Sequence, residues 1–247
     1  MSTRLPTVEG SPEGPENDGP STFEAPARTA SPRLVATLAL AGALAGLVLV
    51  AVHQWTQPRI LEHQARVLQE AVTEVLGGPE STHTYFRVEG AWTARPPADA
   101  DTASADRVYI GFDATGAPIG VALAAGEPGF QDIIRIIFGY DPGAGVVLGM
   151  KVLESRETPG LGDKIEKDST FVAEFRGVTT PLIGVKAGRA RGDDAEVHLI
   201  TGATISSRAI IDIINHRLEA RGEEVRALWR SGIAPPPTVP ADPGGER

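Results

Sequence analysis

A run of 19 residues without a charged side chain, Leu34–Val52, constrains the fold of this chain more than any other feature. A helix of this length and apolar character is long enough to cross the hydrocarbon core of a bilayer. Arg33 stands directly before the run, and Gln54 and Trp55 follow it, as is typical of the interface between membrane and water. The run therefore predicts one transmembrane helix over residues 34–52.

The charges beside this run predict its orientation. Arg28 and Arg33 favour a cytoplasmic N-terminus, although Arg59 and Arg66 on the other side act against this bias. The small residues at 41–45 resemble a signal-peptidase site, and a cleaved signal peptide is the alternative interpretation. These residues lie in the middle of the run, which favours an uncleaved anchor. We expect a single-pass protein of the cytoplasmic (inner) membrane whose main domain lies outside the cytoplasm.

Composition divides the rest of the chain. Residues 1–33 and 231–247 are rich in proline or glycine, and Phe23 is the one aromatic residue in them. Such segments cannot bury a hydrophobic core, so both are predicted to be disordered tails. Between the transmembrane helix and the second tail, residues 53–230 are predicted to form one extracytoplasmic domain.

Alternating patterns and turn residues predict an antiparallel sheet in this domain. The turns are Asp113–Gly116 and Asp141–Gly145, each between two β-like runs. Strands joined by short turns form a meander rather than a βαβ sheet. The four predicted strands are residues 107–112, 119–124, 131–138 and 146–153.

Helical signals flank this meander, which makes the predicted fold class α+β, with helices packed on the sheet. An amphipathic helix is predicted over 57–76, stopped by Gly77-Gly78-Pro79. A short helix capped by Asp168 or Ser169 is predicted to end at Gly177. Strands over 178–185 and 197–200 lead to a final helix whose apolar residues recur from Ile205 to Leu218 and which Gly222 is predicted to close.

Composition also excludes several classes of function. The chain has no cysteine, which excludes iron–sulfur ligation and disulfides, and its five histidines show no metal-ligand spacing. A net charge of −9 argues against nucleic acid as a partner. No metal site and no nucleotide-binding glycine motif is therefore predicted.

The segment Leu199–Arg208 places hydroxyl side chains and Gly202 where a strand gives way to the final helix. A helix N-terminus presents unpaired N–H groups and a partial positive charge, which suit a phosphate. Thr204 offers an oxygen that is able to form a phosphoester. A threonine N-cap without any ligand is the simpler alternative.

A second segment, Glu154–Ile165, follows the last strand of the meander. Thr158-Pro159-Gly160-Leu161 fits a type II turn, because proline fixes φ at its second position and glycine accepts a positive φ at its third. Gly162 adds a position without Cβ, where a bulky ligand is able to approach the main chain. By composition alone, this segment is a turn.

Together, Glu157–Ile165 and Thr201–Ser207 resemble the two signature segments of the G subunit of the Rnf electron-transport complex. They are also similar to the wider FMN-binding domain, which is shared with the C subunit of the sodium-pumping NADH:quinone reductase. The resemblance covers roughly residues 34–221. It implies a transmembrane helix followed by an FMN-binding domain.

The resemblance implies that a separate flavin transferase esterifies FMN through its phosphate to Thr204. It assigns Thr201, Gly202, Ala203 and Ile205 to the phosphate cradle. It assigns the loop to the ring side of the flavin, with Thr158 and Leu161 as contacts; that loop comprises Glu157, Thr158, Gly160, Leu161 and Gly162. Lys164 and Lys186 are candidates to offset the phosphate charge, with solvated surface lysines as the alternative, and Ser206 and Ser207 are alternative ester hydroxyls.

No general acid or base constellation stands out, and no catalytic residue is predicted. The resemblance implies an electron carrier within a membrane complex that transfers electrons between ferredoxin and NAD, coupled to ion translocation, rather than an autonomous enzyme. Its partners would be the other Rnf subunits and the flavin transferase. The alternatives are the corresponding subunit of a sodium-pumping NADH:quinone reductase and a flavin-free anchor or sensor of the same fold.

Overall fold

The computed structural model describes residues 32–95 and 105–232. Nearly all of the two predicted tails therefore lies outside the described residues. The chain divides into two compact units, of which the first ends at Gln57 and the second begins at Pro58.

The N-terminal apolar run belongs to one helix, α1, which extends over Pro32–Val75. By length and composition this is the one helix among the described residues that is able to cross a membrane. Its leucines in the apolar run are exposed, for example Leu38 at 73% and Leu49 at 70%. The prediction of two helices, 34–52 and 57–76, is wrong in one respect, because α1 continues through the polar residues 53–57 and through Pro58.

The second unit is built on a seven-stranded antiparallel sheet of order β2-β1-β3-β4-β5-β6-β7. The predicted meander is confirmed as β3 to β6, and the predicted α+β class is confirmed with it. The strands β1 and β2 at one edge are not predicted from the sequence, because β1 alternates hydroxyl, histidine and aromatic residues with few aliphatic ones. The strands are β1 (Ser81–Val88), β2 (Ala91–Thr93), β3 (Arg107–Phe112), β4 (Pro118–Pro128), β5 (Ile133–Asp141), β6 (Val146–Glu154) and β7 (Val178–Thr179).

The segments after the meander differ from prediction at their ends. Asp168 caps α3 through hydrogen bonds from the Thr170 and Phe171 N–H groups, as predicted. The predicted strand 178–185 is two strands, β7 and β8, and Gly222 lies inside the last helix instead of ending it. The elements are α2 (Lys164–Lys167), α3 (Ser169–Glu174), β8 (Ile183–Val185), β9 (Glu196–His198) and α4 (Thr204–Arg230).

The two faces of the sheet pack against different helices. Because side chains alternate along a strand, β5 sends Phe138 and Tyr140 into a core with α4 and Ile137 into a core with the end of α1. On the α1 face the contact is close at Gly139, where a Cβ would lie 2.2 Å from the Val75 carbonyl oxygen. The sheet therefore fixes α4 on one face and the last turns of α1 on the other.

Ion pairs connect α4 to β1 and to the residue that precedes β3. Asp106 accepts hydrogen bonds from Arg217 and from Arg221, the latter at 2.9 Å. Arg87 of β1 donates two hydrogen bonds to Glu224, at 2.8 and 3.1 Å. Burial alone would raise the pKa of Asp106, but the two arginines bring it below its ordinary value of 3.8.

We expect Asp106→Asn in the full-length chain to lower the free energy of unfolding by about 2 kcal/mol at neutral pH, because the charge-assisted hydrogen bonds from Arg217 and Arg221 are weakened. A carboxyl group with a lowered native pKa stabilises the fold above its unfolded pKa and loses this effect as the pH falls. The difference from wild type should therefore shrink in acid. Denaturant unfolding measures both effects. Asp194→Asn, at an exposed carboxylate, is the control, and equal effects of the two variants would contradict the assignment.

Candidate functional site

The first turn of α4 is open. The N-cap residue is Ala203, which offers no side-chain cap, and Thr204 is the first helical residue. The simpler hypothesis of a threonine N-cap is therefore wrong. The N–H groups of Thr204, Ile205 and Ser206 have no acceptor among the described residues, as expected at a helix start without a cap. Such groups are available to an anionic ligand.

The hydroxyl groups around this turn differ in accessibility. Ser206 and Ser207 are 2% and 0% exposed, and each is hydrogen-bonded: Ser206 Oγ to Glu157 at 2.7 Å and Ser207 Oγ to the Ala203 carbonyl at 2.9 Å. Thr204 is half-buried, and its Oγ1 has one long contact, 3.5 Å, to the Ile200 carbonyl. Thr201 is exposed. Of the hydroxyls within the first turn of the helix, Thr204 is thus the accessible one.

The loop before α2 forms the predicted turn. Leu161 N–H donates to the Thr158 carbonyl at 3.1 Å, and Gly160 has φ of +79°, as a type II turn requires. Asp163 receives the Gly160 N–H at 2.7 Å, which fixes the turn from its far side. The pKa of Asp163 is lowered, chiefly by its hydrogen bond from Lys167.

The structure brings the two predicted segments together. A Cβ on Gly202 would lie 3.7 Å from Leu161 Cδ2, and one on Gly162 would lie 3.1 Å from Ser206 Oγ. The carboxylate of Glu157, which is 6% exposed, accepts the Ser206 hydroxyl hydrogen bond. Glu157 is thus directed toward the protein interior.

A third segment, the turn between β4 and β5, belongs to the same site and is not predicted from the sequence. The Phe130 and Gln131 N–H groups donate to Glu157 Oε1 at 2.9 and 3.0 Å, and Thr158 Oγ1 lies 3.1 Å from Gln131 Oε1. The Pro128-Gly129 pair is a turn signal in the sequence. Nothing in the sequence, however, links it to the loop at Glu157, which follows a whole hairpin later.

Each of the three segments carries an exposed apolar side chain. Phe130 is 65% exposed, Leu161 is 50% and Ile205 is 57%. Large apolar side chains exposed on segments that meet at a polar site are typical of a surface that covers an apolar ligand.

A cavity of about 410 Å³ begins at Thr204 and follows one side of α4. Arg208, one helical turn after Thr204, is exposed and forms no ion pair within the described residues. Neither Lys164 nor Lys186 lines this cavity, whereas Arg208 lines it together with Thr204. The lining residues are Glu127, Pro128, Thr204, Ile205, Arg208, Ala209, Asp212 and His216.

The far end of this cavity is acidic. Glu127 binds His216 Nδ1 at 3.0 Å, and this hydrogen bond raises the pKa of His216. A larger cavity, about 740 Å³, lies elsewhere and contains none of the predicted site residues. Within residues 32–95 and 105–232, no group of three or more acidic or histidine side chains is able to hold a metal ion.

The second unit is thus an α+β domain in which an antiparallel sheet lies between two helices and the open N-terminus of α4 lies beside Leu161 of the loop before α2. The sequence profile of the FMN-binding domain family matches residues 129–219, which contain all three segments of the site. A relative from Shewanella piezotolerans, the G subunit of an ion-translocating oxidoreductase complex, is 32% identical over 173 residues. The match covers 68% of this chain and 78% of the relative.

Other relatives carry the same name. The G subunit from Pectobacterium atrosepticum is 33% identical over 184 residues, covering 74% of this chain and 86% of the relative. That from Vibrio vulnificus is 32% identical over 176 residues, covering 69% and 80%. The chain therefore belongs to the family of G subunits of ion-translocating oxidoreductase complexes.

Solved structures support the fold. NqrC of Shewanella oneidensis aligns with a TM-score of 0.58 at 18% identity, covering 66% of this chain and 96% of that one. The C subunit of the Na(+)-translocating NADH-quinone reductase of Parabacteroides distasonis aligns with a TM-score of 0.51 at 19% identity, covering 68% and 96%. At these identities the likeness concerns the fold alone.

We expect Gly162→Ala to destabilise the domain by about 1–3 kcal/mol, because the new Cβ would lie 2.7 Å from both Cβ and Oε2 of Glu157. Denaturant unfolding of the full-length chain measures this. The matched control is Gly149→Ala, whose Cβ meets nothing closer than Val75 at 3.6 Å. An effect of Gly162→Ala no larger than that of the control would mean that the loop does not pack on Glu157 as described.

Proposed function

We propose that this chain carries FMN at the N-terminus of α4, attached through a phosphoester to Thr204, and acts as the electron-transferring G subunit of an Rnf-type complex. The observation that carries this proposal is the open first turn of α4, with the accessible hydroxyl of Thr204 beside unpaired N–H groups. The family of the chain and the FMN-binding domain profile support the same cofactor.

The residues present fit the phosphate of such a group. Thr201, Gly202, Ala203 and Ile205 form the proposed cradle around Thr204. The unpaired N–H groups in it are those of Thr204, Ile205 and Ser206, and the helix N-terminus favours negative charge there. Arg208 replaces Lys164 and Lys186 as the proposed counter-charge, because it lines the same cavity as Thr204.

The apolar side chains fit the ring. Leu161 and Ile205 stand exposed next to the phosphate cradle, and Phe130 adds an aromatic face from the neighbouring turn. Thr158, Gly160 and Gly162 shape the loop that carries Leu161. Bound flavin supplies the redox chemistry, and the protein supplies its placement and electrostatic surroundings.

Electron transfer requires no general acid or base from this chain. Glu157, the acidic side chain that begins the loop, has both oxygens occupied by hydrogen-bond donors of the protein. We therefore propose a carrier that works with the other subunits of its complex and not alone. The C subunit of a sodium-pumping NADH:quinone reductase shares this fold, but the relatives of the chain carry the name of the G subunit, which favours the Rnf-type complex.

Co-expression of the full-length chain with a flavin transferase should give a protein that is heavier by one FMN less water and fluorescent in a denaturing gel. Thr204→Ala should abolish the fluorescent band and the added mass, because the ester oxygen is removed. Intact-protein and peptide mass spectrometry measure both.

Thr170→Ala is the matched control for this experiment, since it removes an exposed hydroxyl in the first turn of another helix, α3, outside the predicted site, and should keep the flavin. FMN found on Thr201, Ser206 or Ser207 would refute the proposed attachment site. An unmodified wild-type chain would favour the flavin-free anchor or sensor.

We further propose that α1 anchors the chain in the cytoplasmic membrane, with the N-terminus inside and a domain of residues 53–230 outside. The chain has no cysteine, so single cysteines report topology without background. Arg189→Cys, on an exposed loop, should react with a membrane-impermeant maleimide in intact cells. Ser11→Cys should react only after the membrane is permeabilised, and the reverse pattern would invert the proposed topology.

A further inference from the structure

Glu157 is the one acidic side chain among the described residues that is both buried and hydrogen-bonded to two separate segments of the site. Its Oε1 accepts the Phe130 and Gln131 N–H groups at 2.9 and 3.0 Å, and its Oε2 accepts the Ser206 hydroxyl at 2.7 Å. The carboxylate thus joins the β4–β5 turn, the loop before α2 and the first turn of α4.

The surrounding residues make room for this carboxylate. A Cβ on Gly129 would lie 2.4 Å from Glu157 Oε1, and one on Gly162 would lie 2.7 Å from Oε2. A buried carboxylate without partners is costly, and this one accepts three hydrogen bonds from the protein. The arrangement therefore gives each carboxylate oxygen at least one donor.

We propose that Glu157 is the positioning residue of the flavin site. It holds the three segments that carry Phe130, Leu161 and Ile205 in fixed positions relative to one another. Its buried negative charge lowers the midpoint potential of the flavin. This inference rests on the proposed function, since it requires FMN at Thr204. Ser206 lies two residues after Thr204 and donates a hydrogen bond to Glu157, so the carboxylate lies beside the first turn of α4.

The sign of the effect follows from charge. Reduction adds negative charge to a flavin, and a nearby buried anion disfavours that charge more strongly than an exposed one because water screens it less. Removing the anion should therefore raise the midpoint potential. Glu157→Gln removes the charge and keeps an oxygen that accepts from the Phe130 and Gln131 N–H groups, whereas Glu157→Ala removes both.

The experiment uses the full-length chain, flavinylated by co-expression, and compares E157Q, E157A and E154Q. Glu154 is a matched control, because it lies three residues earlier and its side chain is 51% exposed. Redox titration of the flavin absorbance gives the midpoint potential. Hydrogen–deuterium exchange of residues 129–132, measured on chain produced without the transferase, reports the position of the turn independently of flavin.

We expect E157Q to raise the midpoint potential and to keep slow exchange in residues 129–132, and E157A to raise both the potential and the exchange rate. E154Q should change neither. The proposal is overturned if the potential of E157Q equals that of E154Q, or if E157A leaves exchange unchanged. Should E157A fail to fold, E157Q still decides the question of charge. Absence of FMN from the wild-type chain would instead refute the proposed function, and mass spectrometry separates the two cases.

Discussion

The burial of one face of α4 against the sheet determines where the candidate site lies. Ile210, Ile213 and Ile214 are 0% exposed, so the rotation of the helix about its axis is fixed by the core. Residues four positions apart are neighbours on a helix surface. The same rotation therefore places Thr204 and Arg208 on the side of the helix that faces the cavity, followed by Asp212 and His216. Because the core holds α4 along its length, the orientation of its first turn is fixed before any ligand binds.

Local signals in the sequence are sufficient for the meander, the type II turn and the start of α4, because each depends on residues adjacent in the chain. Strand β1 escapes such prediction, since its residues gain their β structure by pairing with β3, a contact that local composition does not reveal. Gly222 is a helix-end signal by its residue type, but the helix continues because Val225 beyond it is buried in the core. Family resemblance identifies the two signature segments as a pair, whereas it does not identify the turn at Phe130, whose link to Glu157 is a tertiary hydrogen bond. The proposed counter-charge, Arg208, lies four residues after Thr204, so the predicted helix already brings the two close together. The cavity that both line distinguishes Arg208 from the two candidate lysines, and this cavity is a tertiary feature.

The charge distribution around Thr204 bears on the proposed covalent attachment of the cofactor. The favourable charge there consists of the helix N-terminus and Arg208, while Asp212 and Glu127 line the same cavity and the chain as a whole carries −9. Electrostatic attraction of this size is screened by salt, and it gives a phosphate modest affinity. In the proposed site a phosphoester removes the need for affinity, so the cavity is able to contain acidic groups without losing its cofactor.

Glu157 fills a buried position and accepts hydrogen bonds there, whereas an apolar residue would only fill the space. A buried ion pair or charge is often replaceable by a hydrophobic side chain of similar volume without loss of stability. Here, however, the partners include two backbone N–H groups, which no substitution of Glu157 removes and which an apolar side chain at this position would leave unsatisfied. The β4–β5 turn would then have to open to water, and Phe130 would move with it. The backbone of the turn therefore requires a hydrogen-bond acceptor at this position. A neutral side chain would meet that requirement, but a carboxylate also places a negative charge in the site, and this charge is the basis of the proposed effect on the flavin.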